Sequence, residues 1–189
     1  WYAALALPTI NTPQTDNVTE ITASYYVSTL ATAIANANPQ ITNTIRQWMQ
    51  KPDAALTSPL KKNHELKSIL LQLSPWVTEA QNETQQMRSL GELLDVNRQN
   101  YISQQAINKL AELQNEDGGW SWFKGFTSST FMTENVLEAM ARLVTLNITS
   151  HPEQVKKMQI KALQFLDKQI QESYKHVKTA GYSQILYLY

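Results

Sequence analysis

Cysteine is absent from all 189 residues. That single lack excludes disulfides, thiolate zinc sites, iron–sulfur clusters and thiol nucleophiles together. Charge is also scarce. Asp, Glu, Lys and Arg make up 17% of the chain, below the ~25% usual for soluble domains. Sixteen basic residues meet sixteen acidic ones, for a formal net charge of zero. Nothing in that balance attracts nucleic acid or an anionic lipid surface. No apolar run approaches the ~20 residues that a membrane-spanning helix needs, and no signal peptide is visible. Glycine is rare, with five residues, and three of them (Gly118, Gly119 and Gly125) fall in one short stretch.

What remains is an apolar fraction of 42%, sufficient for a core, with five tryptophans and eight tyrosines. Asn, Gln, Ser and Thr fill the positions that charge leaves vacant. Residues 8–18 contain two prolines and read as a loop. The spacing then predicts a helix from Thr19 or Glu20 to Ala37, with Tyr26, Leu30, Ala33 and Ala37 at helical period. Asn38-Pro39 ends it and opens a second helix carrying Ile41, Ile45, Trp48 and Met49, Pro39 being suited to a first turn. A loop between Pro52 and Pro59 leads to a third helix over residues 60–73, striped by Leu66, Ile69, Leu70 and Leu73. Residues 76–97 are helical but more polar, with Met87, Leu90, Leu93 and Leu94 in line. Further helices are expected over 100–113, 129–146 and 152–176, with a last one beginning after Gly181. Ser129 or Thr130 caps the helix that starts there. Sustained alternation and hairpin signals are missing, so the fold class is all-α.

Chemistry is hard to find in this array. His64, His151 and His176 stand far apart, none with a second ligand at metal-binding spacing. Glu134 and Glu138 lie one helical turn apart and could form an acid–base pair. A solvated helical face explains them as well. Asp117, in the glycine loop, is the more tempting carboxylate, although a turn residue holding the next backbone amide accounts for it too. No nucleophile elbow and no phosphate-binding glycine loop occurs. No catalytic residue, metal site or cofactor is therefore expected. Asn17-Val18-Thr19, Asn82-Glu83-Thr84 and Asn147-Ile148-Thr149 match the N-glycosylation triplet, a pattern common by chance in Asn- and Thr-rich chains.

The most specific local feature is Gln114-Asn115-Glu116-Asp117-Gly118-Gly119-Trp120-Ser121-Trp122-Phe123-Lys124-Gly125. The glycines Gly118 and Gly119 allow a tight reversal after a helix. Trp120 and Trp122 can then fold back as a structural wedge between neighbouring helices. The alternative is a ligand-stacking site.

This turn resembles the repeat of α/α toroids, a group that includes prenyltransferases, terpene cyclases and the thioester domains of alpha-2-macroglobulins and complement proteins. Other segments narrow the resemblance to bacterial alpha-2-macroglobulin-like proteins. Trp1-Tyr2-Ala3-Ala4-Leu5-Ala6-Leu7-Pro8 is similar to their "WYALQALP". Tyr25-Tyr26 followed by Leu30-Ala31 resembles "RYYANALA". Ser74-Pro75-Trp76-Val77-Thr78-Glu79-Ala80-Gln81-Asn82-Glu83 resembles "SPWVLEAQNE", and residues 118–125 resemble "GGWPWFKG". These segments run in the same order along most of the chain.

The resemblance implies an α/α toroid-like array of antiparallel helix pairs. Residues 1–189 would be part of one helical thioester-type domain, cut at both ends, with about 1–18 as opening segment and loop. Members that carry the thioester have Cys-x-Glu-Gln between the opening segment and the Tyr-Tyr pair. Counting back from Tyr25-Tyr26 puts Asn17 at the cysteine and Glu20 at the glutamine. A one-residue insertion, suggested by a mismatch at Pro13, would put Asp16 at the cysteine instead. Either alignment removes the thiol, so covalent capture is not implied. What the resemblance leaves is a non-catalytic domain serving protease trapping or inhibition in the periplasm or at the cell surface. Its partners would be the β-sandwich domains of its own long chain, and proteases; no nucleic acid and no membrane span are implied. The rivals are an α/α toroid enzyme acting on a glycan or an isoprenoid, which needs inward carboxylates or a metal, and a ligand-binding helical module.

Overall fold

A computed structural model of the chain describes residues 10, 11, 13–50 and 91–177. Five long helices dominate it: α1 (Val18–Ala37), α2 (Pro39–Met49), α3 (Val96–Leu113), α4 (Thr130–Thr145) and α5 (Pro152–Val177). Among the described residues there is no strand, and one isolated antiparallel bridge joins Trp120 to Ser129. The protein is all-α, as its periodicity indicates. The helix expected over residues 60–73, most of that over 76–97, the last helix after Gly181, and the segments Trp1–Pro8 and Ser74–Glu83 lie outside the described residues.

Three of the helices, α1, α3 and α4, begin where a short polar side chain takes up a free backbone amide. Asn17 accepts from the Thr19 amide at the start of α1. Asp95 accepts from the amides of Asn97 and Arg98, which starts α3 four residues earlier than its apolar pattern suggests. Ser129, rather than Thr130, caps α4. Asn38 is driven out of the helical region by the proline that follows it, so α1 stops there and Pro39 opens α2.

The C-terminus of α4 is a Schellman closure. The Ile148 amide reaches the Leu143 carbonyl and the Asn147 amide reaches that of Val144. Asn147 sits in the left-handed region with φ 57°, which asparagine tolerates better than most residues. Ile148 then packs onto the core. The asparagine of the 147–149 triplet thus has a structural task.

Packing is led by α1 on α3, followed by α1 on α4 and α4 on α5. The main core joins Val18, Ile21 and Tyr25 of α1 with Ala106, Ile107, Leu110 and Leu113 of α3. It continues through Met132, Val136, Met140 and Leu143 of α4 to Val155, Met158 and Ala162 of α5. The α5 residues recur at helical spacing, leaving most of its outer face wet.

The buried side of α1 differs from the expected stripe. Tyr26, Leu30 and Ala33 are only half-buried and Ala37 is exposed, while Thr22, Ser24, Ser28 and Thr29 are buried. The reason lies in hydroxyl bookkeeping. Thr22 Oγ1 donates to the Val18 carbonyl at 2.7 Å and Ser28 Oγ to that of Ser24 at 2.7 Å. Ser24 Oγ donates to the Asn11 carbonyl at 3.0 Å. Side chains that satisfy themselves within the helix can be buried without loss, and their small size lets α3 approach closely. Tyr25 completes this face. Its ring is fully buried and its hydroxyl donates to the Ser150 carbonyl at 2.7 Å; burial pushes its pKa up.

Met140 is fully enclosed at the centre of this core. Met140→Ala is expected to lower stability by about 2–5 kcal/mol, read from the shift of a urea unfolding midpoint. Leu146→Ala, an exposed neighbour, serves as the control and should change it by less than about 0.5 kcal/mol.

Candidate functional site

The Gly-Gly-Trp turn links α3 to α4 and is held from every side. At its start, the Gln114 side-chain amide donates to the Gly118 carbonyl at 2.8 Å and to the Met158 carbonyl of α5 at 3.0 Å. Asn115 and Gly118 close the reversal, with Gly118 N–H donating to the Asn115 carbonyl and Asn115 N–H to that of Gly119, both at 2.9 Å. Asp117 Oδ1 accepts from the Gly119 amide at 3.0 Å and from Ser128 Oγ at 2.7 Å. Asp117 is therefore engaged as a turn residue.

Gly118 has φ +93°, and a Cβ there would lie 2.3 Å from the Lys161 carbonyl oxygen of α5. Gly119 is closed by the neighbouring Ser128, whose Cβ would be 2.7 Å away. The missing Cβ of Gly118 lets the turn lie flat against α5, and that of Gly119 lets it close onto Ser128.

Trp120 is fully buried. Its indole N–H donates to the Leu110 carbonyl of α3 at 2.8 Å, and its backbone N–H to Thr133 Oγ1 of α4 at 2.9 Å. Its carbonyl accepts from the Ser129 amide at 2.8 Å. Thr133 carries no motif in the sequence, yet its hydroxyl relays the turn to the α4 cap by donating to the Ser129 carbonyl at 2.8 Å. A threonine four residues after a capping serine is the one local signal of it.

Trp122 behaves differently, since its side chain is 48% exposed. The anchoring group is its backbone carbonyl, which accepts from the Val18 amide at 3.1 Å. Phe123, Phe126 and Phe131 are exposed beside it. Trp122 and Phe131 have ring centroids 6.4 Å apart, and Phe123 and Phe126 6.3 Å. The turn thus presents one buried indole inward and a group of aromatics outward.

Val18 is the first residue of α1, so this turn meets the segment containing Asp16, Asn17 and Glu20. Asn17 caps α1. Asp16 forms an ion pair with Lys109 of α3 at 3.1 Å. The Glu20 carboxylate accepts from the Gln14 amide at 2.8 Å, from the Thr15 amide at 3.0 Å and from the Thr15 hydroxyl at 3.1 Å. The backbone bonds from Thr15 and Gln14 hold its pKa below the ordinary glutamate value.

The remaining candidates do not converge. Glu138 is paired with Arg142 on the surface of α4. Burial pushes the Glu134 carboxyl up from its usual range. His151 is half-buried at the start of α5, His64 lies outside the described residues, and nothing is described of the His176 side chain. Among the described residues, no group of three His, Asp or Glu could hold a metal ion, and no helix is long and apolar enough to cross a membrane.

Compared with protein-family models, with curated proteins and with solved structures, the chain has no match.

Four substitutions separate inward and outward roles. Trp120→Ala should cost about 3–5 kcal/mol in a denaturant midpoint experiment, while Trp122→Ala should cost less than about 1 kcal/mol. Gly118→Ala, with both a positive φ and a clash against α5, should destabilise more than Gly125→Ala, where φ is +87° but a Cβ meets nothing.

Glu20 supplies a pH test. Its folded pKa is lowered, so its stabilising contribution is complete above the unfolded glutamate value and is lost as pH falls through the lower folded value. Glu20→Gln should therefore lower the melting temperature at neutral pH, and the gap to the parent chain should close on acidification through that window. A gap independent of pH would contradict the charged-carboxylate role.

Proposed function

We propose that this chain is a toroid-like helical domain of a bacterial alpha-2-macroglobulin-like protein, non-catalytic and without thioester chemistry, that serves protease trapping. The observation that carries the reading is the hydrogen bond from the Val18 amide to the Trp122 carbonyl. It joins the Gly-Gly-Trp turn, one of the segments that carry the resemblance, to the start of the helix where counting back from Tyr25-Tyr26 puts the lost thioester motif. They are about a hundred residues apart in sequence and in contact in the fold.

Chemistry at those positions supports a conformational role. The sequence holds no thiol, and a thioester needs a thiolate. The Asn17 side-chain carbonyl is occupied as a helix cap, and the Glu20 carboxylate is occupied by the residue 14–15 backbone. Neither is an activated acyl group. The exposed aromatics Trp122, Phe123, Phe126 and Phe131 provide the surface on which a β-sandwich domain of the same long chain would dock. Rearrangement of that contact after cleavage of a bait segment would confine a protease without a covalent bond. Such a protein works in the periplasm or at the cell surface.

The test uses the parent protein. Methylamine should add no covalent mass and release no thiol, and a protease that nicks the parent should change its hydrodynamic size with or without methylamine. Methylamine incorporation mapped to residues 14–22 would refute the loss of the thioester. Nicking by a panel of proteases with no size change would remove the trapping function.

A further inference from the structure

The helix α5 has a second apolar face that the core does not use. Its inward side is Val155, Met158, Ala162, Phe165 and Leu166, all buried. About a third of the way round the helix run Ile160, Leu163, Asp167, Ile170 and Tyr174, at intervals of three, four, three and four residues. Ile160, Leu163 and Tyr174 are 48%, 54% and 69% exposed, and Ile170 is half-buried. Single exposed apolar residues are ordinary. A three–four repeat held over four turns is the seam by which one helix packs along another.

Beside the seam runs a row of lysines. Lys157, Lys161, Lys168 and Lys175 are spaced by four, seven and seven residues, which keeps them on one side of the helix over about 27 Å. All four are exposed, and among the described residues none is in an ion pair. With Lys156, the five lysines of α5 outnumber Glu153, Asp167 and Glu172, a formal surplus of +2 on one helix of a chain whose total is zero.

Asp167 decides between partners. It stands in the middle of the seam, and a bilayer that took in Leu163 and Ile170 would have to take in a carboxylate with them. A facing helix can meet it with one basic residue, which then fixes the register as a polar seam residue does in a coiled coil. A second copy of α5 would bring the same positive surplus and lacks charge complementarity. We propose that the outer face of α5 docks an acidic amphipathic helix of a partner protein. The partner's apolar stripe lies on Ile160, Leu163, Ile170 and Tyr174, and its carboxylates lie along the lysine row. This inference is independent of the trapping function and of the aromatic surface at the turn.

The probe is a synthetic peptide of about four heptads, with leucine in the seam, glutamate on both flanks and one central seam leucine replaced by lysine. Its glutamates repel one another and keep it from pairing with itself. Labelled with fluorescein, it is titrated with the 189-residue chain at low salt. The anisotropy should rise to saturation, half-complete below about 100 μM, and binding should weaken about tenfold at ~0.5 M salt. The same peptide with lysine on its flanks should not bind. Leu163→Asp should cost at least about tenfold in affinity, and Lys157→Gln combined with Lys168→Gln about fivefold. These side chains are exposed, so each variant should keep its melting temperature. No saturation by ~1 mM chain, equal binding of the lysine-flanked peptide, or variants that bind as the parent does would overturn the proposal. So would a chain that ignores the peptide and instead sediments with phosphatidylcholine–phosphatidylglycerol vesicles, or one that pairs with itself through Leu163 in sedimentation velocity.

Discussion

Trp120 is placed where α3, α4 and the turn between them meet, and the described architecture depends on its being dry. A buried indole must have its N–H paired, and the partner is the Leu110 carbonyl, one turn before the end of α3. That requirement fixes how far the chain must fold back after Leu113. The reversal in turn requires Gly118, because the backbone passes against the Lys161 carbonyl with no room for a Cβ. The Thr133 hydroxyl then ties the Trp120 amide to the first turn of α4. One side chain thus sets the relation of α3 to α4, and its glycine neighbour sets the approach of α5.

The same turn is what α1 rests on. Its first amide finds the Trp122 carbonyl, and its buried face mixes apolar residues with small hydroxyl residues, of which Thr22 and Ser28 bond within the helix and Ser24 to Asn11. Such a face packs tightly because it has little bulk, and it is tolerated because it has few unmet polar groups. The exception is Thr32, whose hydroxyl is shielded from solvent without a partner in the protein, beside a polar cavity between α1, α3 and the α4–α5 loop. The two ends of α1 therefore differ in kind. One is sealed against a backbone carbonyl, and the other opens onto a group of neutral hydrogen-bonding side chains.

Much of this organisation is legible in the residue order. Helical periodicity marks α3, α4 and α5, Asn38-Pro39 marks the break between α1 and α2, and a glycine pair beside a tryptophan marks the turn. These signals are local, arising from backbone stereochemistry and from spacing along one helix. The inward stripe of α1 was not legible, because a period of apolar residues does not register serines and threonines that become buried by bonding to their own carbonyls. Nor was the early start of α3, since Asp95 precedes the apolar pattern instead of belonging to it.

The sequence by itself determined that the protein is helical, that it holds no thiol for a thioester, and that its backbone reverses sharply at Gly118. Tertiary structure decided which of two tryptophans is buried, since Trp120 and Trp122 stand two apart with similar neighbours and only the facing helices distinguish them. It also decided that the start of α1 lies against the turn, and that Thr29, Ser103 and Ser150 bond to one another. The physical reason is common to all three. Each depends on groups from different elements being brought within a hydrogen-bond length, and no pattern along a single helix records which group of another element will be there.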